Sequence, residues 1–270
     1  MIEAQDFLDE SNALADFLLT LKDSDFDCAT QFKSWTVNDV LGHLHIFNYA
    51  AELTLASPQK FEPFLAGILA QVAKGKTLVQ AQYDWVGDLS GRALLDAWQE
   101  GAQRLAELYQ TADPKARVKW AGPDMSARSS ITARQMETWA HGQELFDLLG
   151  VTRSDADRLR NIAHLGAATI PFAFAIRKEA IPDPLPYIRL TAPSGSIWEW
   201  NTPQQDNCIE GTATAFCQTA TQVRNVADTD LRTVGPVANR WAEIAQCFAG
   251  EAHDPPAPNT RFTRSGVVDG

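Results

Sequence analysis

The chain has 270 residues, with 23 Lys and Arg against 34 Asp and Glu, for a formal net charge of -11. That balance speaks against a general nucleic-acid or anionic-membrane surface, because phosphates would be repelled, and leaves small molecules as the expected partners. With 45% hydrophobic and 21% charged residues, wholesale disorder is excluded, and the length allows one large domain or two ordinary ones.

The N-terminal "MIEAQDFLDE" is acidic and lacks the basic and apolar regions of a signal peptide. Nowhere do about 18 apolar residues run together, so the expectation is a cytoplasmic protein without a membrane span. Phe7, Leu14, Phe17, Leu18 and Leu21 recur at helical spacing and predict a first helix. A second begins in "SWTVNDVLGHLHIFNYAAEL", with Thr36 as N-cap and Asp39 completing an approximate capping box, and ends near Pro58. "FLAGILAQVAKG" is a third apolar segment stopping at Gly75, and "SGRALLDAWQEGAQRLAELYQTA" a fourth, broken by Asp113-Pro114. A loop with Trp120 and Gly122-Pro123 then leads to the helix "ITARQMETWAHGQELFDLLG", which Gly150 closes. The next helix starts from Ser154 and carries Pro171, where a break is expected.

Three prolines in "EAIPDPLPY" read as an interdomain linker. Beyond it the pattern is mixed: two strands in "YIRLTAPSGSIWEWN" around Ser194-Gly195, a helix in "GTATAFCQTATQV", a strand in "TDLRTVG", and a final helix entered at Pro236 and capped by Gly250. The tail "EAHDPPAPNTRFTRSGVVDG" is Pro-rich and expected to be extended or mobile. The expected division is a helical domain over residues 1–180, a small α+β domain over 181–252, and the tail over 253–270. Cys28, Cys208, Cys217 and Cys247 have no metal-type spacing and read as isolated thiols.

One stripe breaks the burial rule. On the helix 131–150, Glu137 and His141 are four residues apart and so project together, with Ala133, Ala140, Glu144 and Leu148. An unpaired buried carboxylate costs several kcal/mol, so about this face a partner, water or a cation must gather. The i, i+4 spacing also lets two side chains share one metal ion. A third ligand has to come from another helix, and His43 is the best placed, on the stripe of Val40, Leu44 and Phe47; His45 points about 200° away. Two His and one carboxylate would leave positions for water or substrate. At this level the carboxylate is either Glu137 or Glu144, and His43 alone reads first as a satisfied core histidine. His164 is structural or a supporting residue.

"SWTVNDVLGHLHIF" and "TARQMETWAHGQELFDLLG" resemble the two signature helices of the mycothiol-dependent maleylpyruvate isomerase family, within the wider DinB-like group of metal-binding bundles. "RTVGPVANRWAEIAQCFAG" is similar to the small domain, sterol-carrier-like, appended in one subfamily. The resemblance implies a mainly α, DinB-like four-helix bundle plus a small C-terminal α+β domain. It implies metal ligands at His43, Glu137 and His141, ranking Glu137 above Glu144. Zinc is the ion favoured by this ligand set, with nickel and iron also suited. The cosubstrate implied is a low-molecular-weight thiol such as mycothiol, used for isomerisation of a small electrophile or for S-transfer to it. A metal-dependent hydrolase and a non-catalytic small-ligand binder are the alternatives. Trp120, Met125 and Arg128, in the loop before the ligand helix, are candidate pocket residues.

Overall fold

Residues 1–122 and 124–265 are described in the computed structural model of the chain; part of the Gly122-Pro123 break and the last five residues of the tail lie outside them. Helix α1 (Ile2–Leu18) buries Phe7, Leu14 and Leu18 along the predicted stripe and stacks Phe17 on Phe146, with ring centroids 4.0 Å apart. Helix α2 (Val37–Ala56) opens with a reciprocal cap: Asp39 N donates to Thr36 Oγ1 at 3.1 Å, and Thr36 N to Asp39 Oδ2 at 2.8 Å. Such a cap is worth about 1 kcal/mol.

Helix α3 (Pro58–Ala73) starts at Pro58 rather than Phe64, because proline at the first helical position has no N–H to forfeit. The short helix α4 (Leu78–Val86), not expected from the sequence, is held by a capping box between Thr77 and Gln80. Helix α5 (Gly91–Thr111) follows as expected. The next loop contains a small antiparallel hairpin, β1 (Arg117–Val118) with β2 (Met125–Ser126), and runs straight into α6 (Ala127–Leu148).

Helices α1, α5, α2 and α6 pack as a ring of four. Pairings fix their directions. Asn38 meets Gly91 and Thr54 meets Tyr109, so α2 and α5 run parallel; His43 meets Glu137 and Asn48 meets Arg134, so α2 and α6 run antiparallel. Parallel neighbours need a connection that returns the length of the bundle. The α3 and α4 segment is that connection, and both helices lie against α2. No described helix is long and apolar enough to cross a membrane.

The chain divides at Leu148/Leu149, not near residue 180. The reason lies in packing: α7 (Arg160–Ala168) and α8 (Ile170–Ala175), separated at Thr169 just before Pro171, join β3 (Tyr187–Thr191), β4 (Ile197–Trp200), β5 (Cys208–Thr212), α9 (Ala213–Ala220), β6 (Arg232–Val234) and α10 (Pro236–Ile244). The triple-proline stretch therefore lies inside this second unit rather than between domains. Its sheet has the order β4-β3-β5-β6, with β3 and β5 parallel and the outer pairs antiparallel. Gly166 lets α7 approach α9, since a Cβ there would stand 2.8 Å from Phe216 Cε1.

Strand β5 was unanticipated, and α10 ends at Ile244, well short of Gly250. The tail is tied down as far as it is described: Gln222 donates to His253 O, Asn225 to Pro256 O, and Asn259 N to Asp228, at 2.8 to 2.9 Å. The four cysteines are free thiols.

Candidate metal centre

His43 comes from the second turn of α2, while Glu137 and His141 stand one turn apart on the facing stretch of α6. Glu137 Oε2 lies 3.4 Å from both His43 Nε2 and His141 Nε2. The three ligand-type atoms all fall within 4.8 Å of one another. A tetrahedron with metal–ligand bonds of about 2.1 Å has edges of about 3.4 Å, so the donor set fits a divalent ion in both chemistry and spacing. The imidazoles are buried, whereas the Glu137 side chain is 25% exposed, which leaves the centre open on the carboxylate side.

The far side of each ring is also held. His141 Nδ1 lies 3.0 Å from Glu144 Oε2, and His43 Nδ1 lies 2.8 Å from Gln82 Nε2. Each contact turns Nε2 toward Glu137, as the outer partners of metal-bound histidines do. Glu144 therefore faces the back of His141, while Glu137 stands between the two rings.

Gln82 was missed from sequence because α4 was missed. Its signal was nonetheless of the kind that marked Glu137: a polar residue on the otherwise apolar face of Leu78, Trp85 and Val86, four after Leu78 and four before Val86.

Electrostatics divide the two imidazoles. Burial lowers the His43 pKa to about 4, against the weaker pull of its hydrogen bond to Glu137. Burial acts the same way on His141, but there the charge of Glu144 and the hydrogen bonds to Glu137 and Glu144 prevail and raise it to about 9. Burial would raise Glu137, yet its bonds to His141 and His43 hold it well below the usual carboxylate range. Without a cation, then, the cluster at neutral pH is a neutral His43, an ionised Glu137 and a protonated His141.

Aromatic rings surround this polar cluster. Trp35 stacks on His141 at 5.7 Å and tilts against His43 at 5.2 Å; Phe32 meets His141 edge-on at 5.3 Å; Phe47 lies 4.8 Å from His43. The loop before α2 supplies the first two through a tight turn in which Lys33 and Ser34 have φ of 51° and 56°. Trp35 N donates to Phe32 O at 2.9 Å across that turn, and Thr30 N to Trp35 O at 2.7 Å.

Of the candidate pocket residues, Trp120 reaches the centre indirectly, 6.4 Å from Phe47 and stacked on Phe61. Met125 is spent in the hairpin, packed on the core between α1, α5 and α6. Arg128 turns away, exposed and paired with Glu3 of α1 at 3.0 Å. His164 belongs to the second unit, where its Nδ1 accepts from Trp200 Nε1 at 3.1 Å. His45, buried and tilted against Trp85 at 5.0 Å, is not in the cluster.

Comparison with known proteins agrees with this architecture. Residues 7–146 match the family described as the mycothiol maleylpyruvate isomerase N-terminal domain. Two uncharacterized proteins from two strains of Mycobacterium tuberculosis are each 35% identical over 221 residues, which cover 82% of this chain and 85% of theirs. Among solved structures, the mycothiol-dependent maleylpyruvate isomerase and its histidine-to-alanine mutant share the fold. Their TM-scores are 0.50 and 0.51 at 13% and 14% identity, over 82% of this chain and 88% of each of theirs. A helical first unit with that match over its length, and relatives alike along most of the chain, place the protein in a family: it belongs to the mycothiol maleylpyruvate isomerase N-terminal domain family.

Proposed function

We propose that the protein is a metal-dependent enzyme that uses a low-molecular-weight thiol, mycothiol or a close equivalent, to isomerise a small electrophilic molecule or, as an S-transferase, to add the thiol to it. The observation carrying this reading is the placement of Glu137 Oε2 at 3.4 Å from two Nε2 atoms whose rings are each fixed from behind. His43, Glu137 and His141 would hold the ion, with zinc the best match to two imidazoles and a carboxylate. An ion held by these three side chains would supply Lewis acidity, lowering the pKa of a thiol at the remaining position toward neutral pH.

The chain's own contribution is positional. Gln82 and Glu144 orient the rings; Phe32, Trp35 and Phe47 form an apolar wall that limits water at the centre, so a charge there is felt more strongly than in bulk solvent. Glu137, as the exposed member, marks the side from which a small molecule enters.

The test is a matrix of metal-loaded and metal-free protein against mycothiol, glutathione or no thiol, with a panel of activated alkenes. Turnover that needs metal and thiol together is the expected result. Hydrolysis without thiol, or no turnover in any cell, overturns it in favour of a hydrolase or a binding protein.

A further inference from the structure

Arg134 is 2% exposed and Asn48 1%, and the two are joined by one hydrogen bond, Arg134 Nε to Asn48 Oδ1 at 3.1 Å. Arg134 Nη2 and Asn48 Nδ2 are both buried and have no hydrogen-bond partner. Among the described residues no carboxylate is within ion-pairing distance of the guanidinium. Glu137, one turn on along α6, is a counter-charge felt only from beyond ion-pairing distance; a buried cation with no direct partner is unfavourable, and an unsatisfied buried N–H adds its own desolvation cost. Hydrophobic residues of similar length would fill the same space at no such cost, so the pair calls for an acceptor that carries negative charge.

Its position suggests which. Arg134 precedes Glu137 by three residues and His141 by seven, so all three share a face of α6, and at 1.5 Å per residue the levels differ by about 4.5 and about 10 Å. Its charge acts on both Glu137 and His43. That separation is the length of a small organic acid.

We propose that Arg134 and Asn48 form an anion subsite that takes a carboxylate of the substrate whose reactive end lies at the His43, Glu137 and His141 centre. This rests on the function proposed above, since it makes the substrate of that centre a small carboxylic acid. Arg134 supplies N–H donors and charge, Asn48 Nδ2 a further donor, and a carboxylate has the acceptor positions to meet them.

The experiment uses the full chain stripped of metal, so that an anion cannot act through the ion, and reads the melting temperature against sodium acetate, with sodium chloride and acetamide as matched arms. Acetate is expected to stabilise the wild type saturably, and acetamide and chloride not. In Arg134→Met the acetate dissociation constant should rise by at least about tenfold. Asn48→Asp places a carboxylate beside the guanidinium permanently; it should melt above the wild type in the absence of acetate and gain nothing when acetate is added. No saturable acetate effect in the wild type, an equal effect of chloride, or an undiminished effect in Asn48→Asp overturns the subsite, and the last decides even if Arg134→Met does not fold. Metal content, measured separately in the same variants, should be unchanged; loss of metal binding by the wild type would sink the proposed function without touching the acetate result.

Discussion

Gln82 and Glu144 each face the Nδ1 of an imidazole, yet they ask different things of it. Glu144 accepts a hydrogen bond from protonated His141, whereas the Gln82 amide donates to His43 Nδ1, which leaves His43 Nε2 protonated and bonded to Glu137. An ion on Nε2 requires the proton on Nδ1 instead, so the amide must then present its oxygen. Gln82→Leu removes both options and is expected to weaken metal binding about 10- to 100-fold, while Gln82→Glu, which offers only acceptors, should retain it. Competition with a chromogenic chelator measures this, and equal affinity in Gln82→Leu would exclude the role.

The same residues set a pH dependence. His141 is raised from 6.5 to about 9, so its contribution to the stability of the metal-free protein is complete below 6.5 and is lost as pH climbs through about 9. His43 is lowered to about 4: the unfolded chain binds the extra proton first, and stability falls as pH drops from 6.5 through about 4. For these two groups the metal-free melting temperature should peak near 6.5. Metal replaces the His141 proton, so the alkaline limb should flatten in the loaded protein. An identical alkaline fall with and without metal, followed by calorimetry, would contradict the assignment.

At the scale of elements, the turn Phe32 to Trp35 places two rings on the imidazoles at the cost of a left-handed backbone at both Lys33 and Ser34. Both φ values are positive, the pattern that favours Asn-Gly in tight hairpin turns. Replacing Lys33-Ser34 by Asn-Gly should therefore raise stability, by about 1 kcal/mol in chemical denaturation. A loss of stability would mean that Lys33, whose Nζ lies 4.9 Å from the Phe32 ring centroid, contributes more than its backbone costs.

How far the elements could be read ahead followed their length and pattern. Helices α1, α2, α5 and α6 carry long stripes, and the Thr36/Asp39 cap is local chemistry, so all were legible. Helix α4 has nine residues, too few for periodicity to emerge, and β5 ends in Gly-Thr at a helix N-cap, where "GTATAFCQ" reads as helix throughout. The cluster itself was visible as polar residues on an apolar stripe. Its pairing across helices became a definite expectation through the resemblance, because helical spacing says which face a residue occupies and not what that face meets.

For the whole molecule, the division at Leu148/Leu149 leaves the candidate centre wholly within the first unit. All three proposed ligands, both ring partners and the aromatic wall lie between Phe32 and Glu144. The matched family segment, residues 7–146, spans the same stretch. The second unit, with its four-stranded sheet, is where sequence reasoning placed a boundary wrongly: prolines at 182, 184 and 186 mark an entry to β3, not an exit from a domain.

Elemental analysis of purified wild type, Glu137→Ala, His141→Ala and Glu144→Ala is the most direct test of the centre. About one divalent ion per chain is expected in the wild type, loss of the ion in Glu137→Ala and His141→Ala, and retention with weaker binding in Glu144→Ala. Full metal content in both Glu137→Ala and His141→Ala, or a wild type that takes up no ion, would contradict the account.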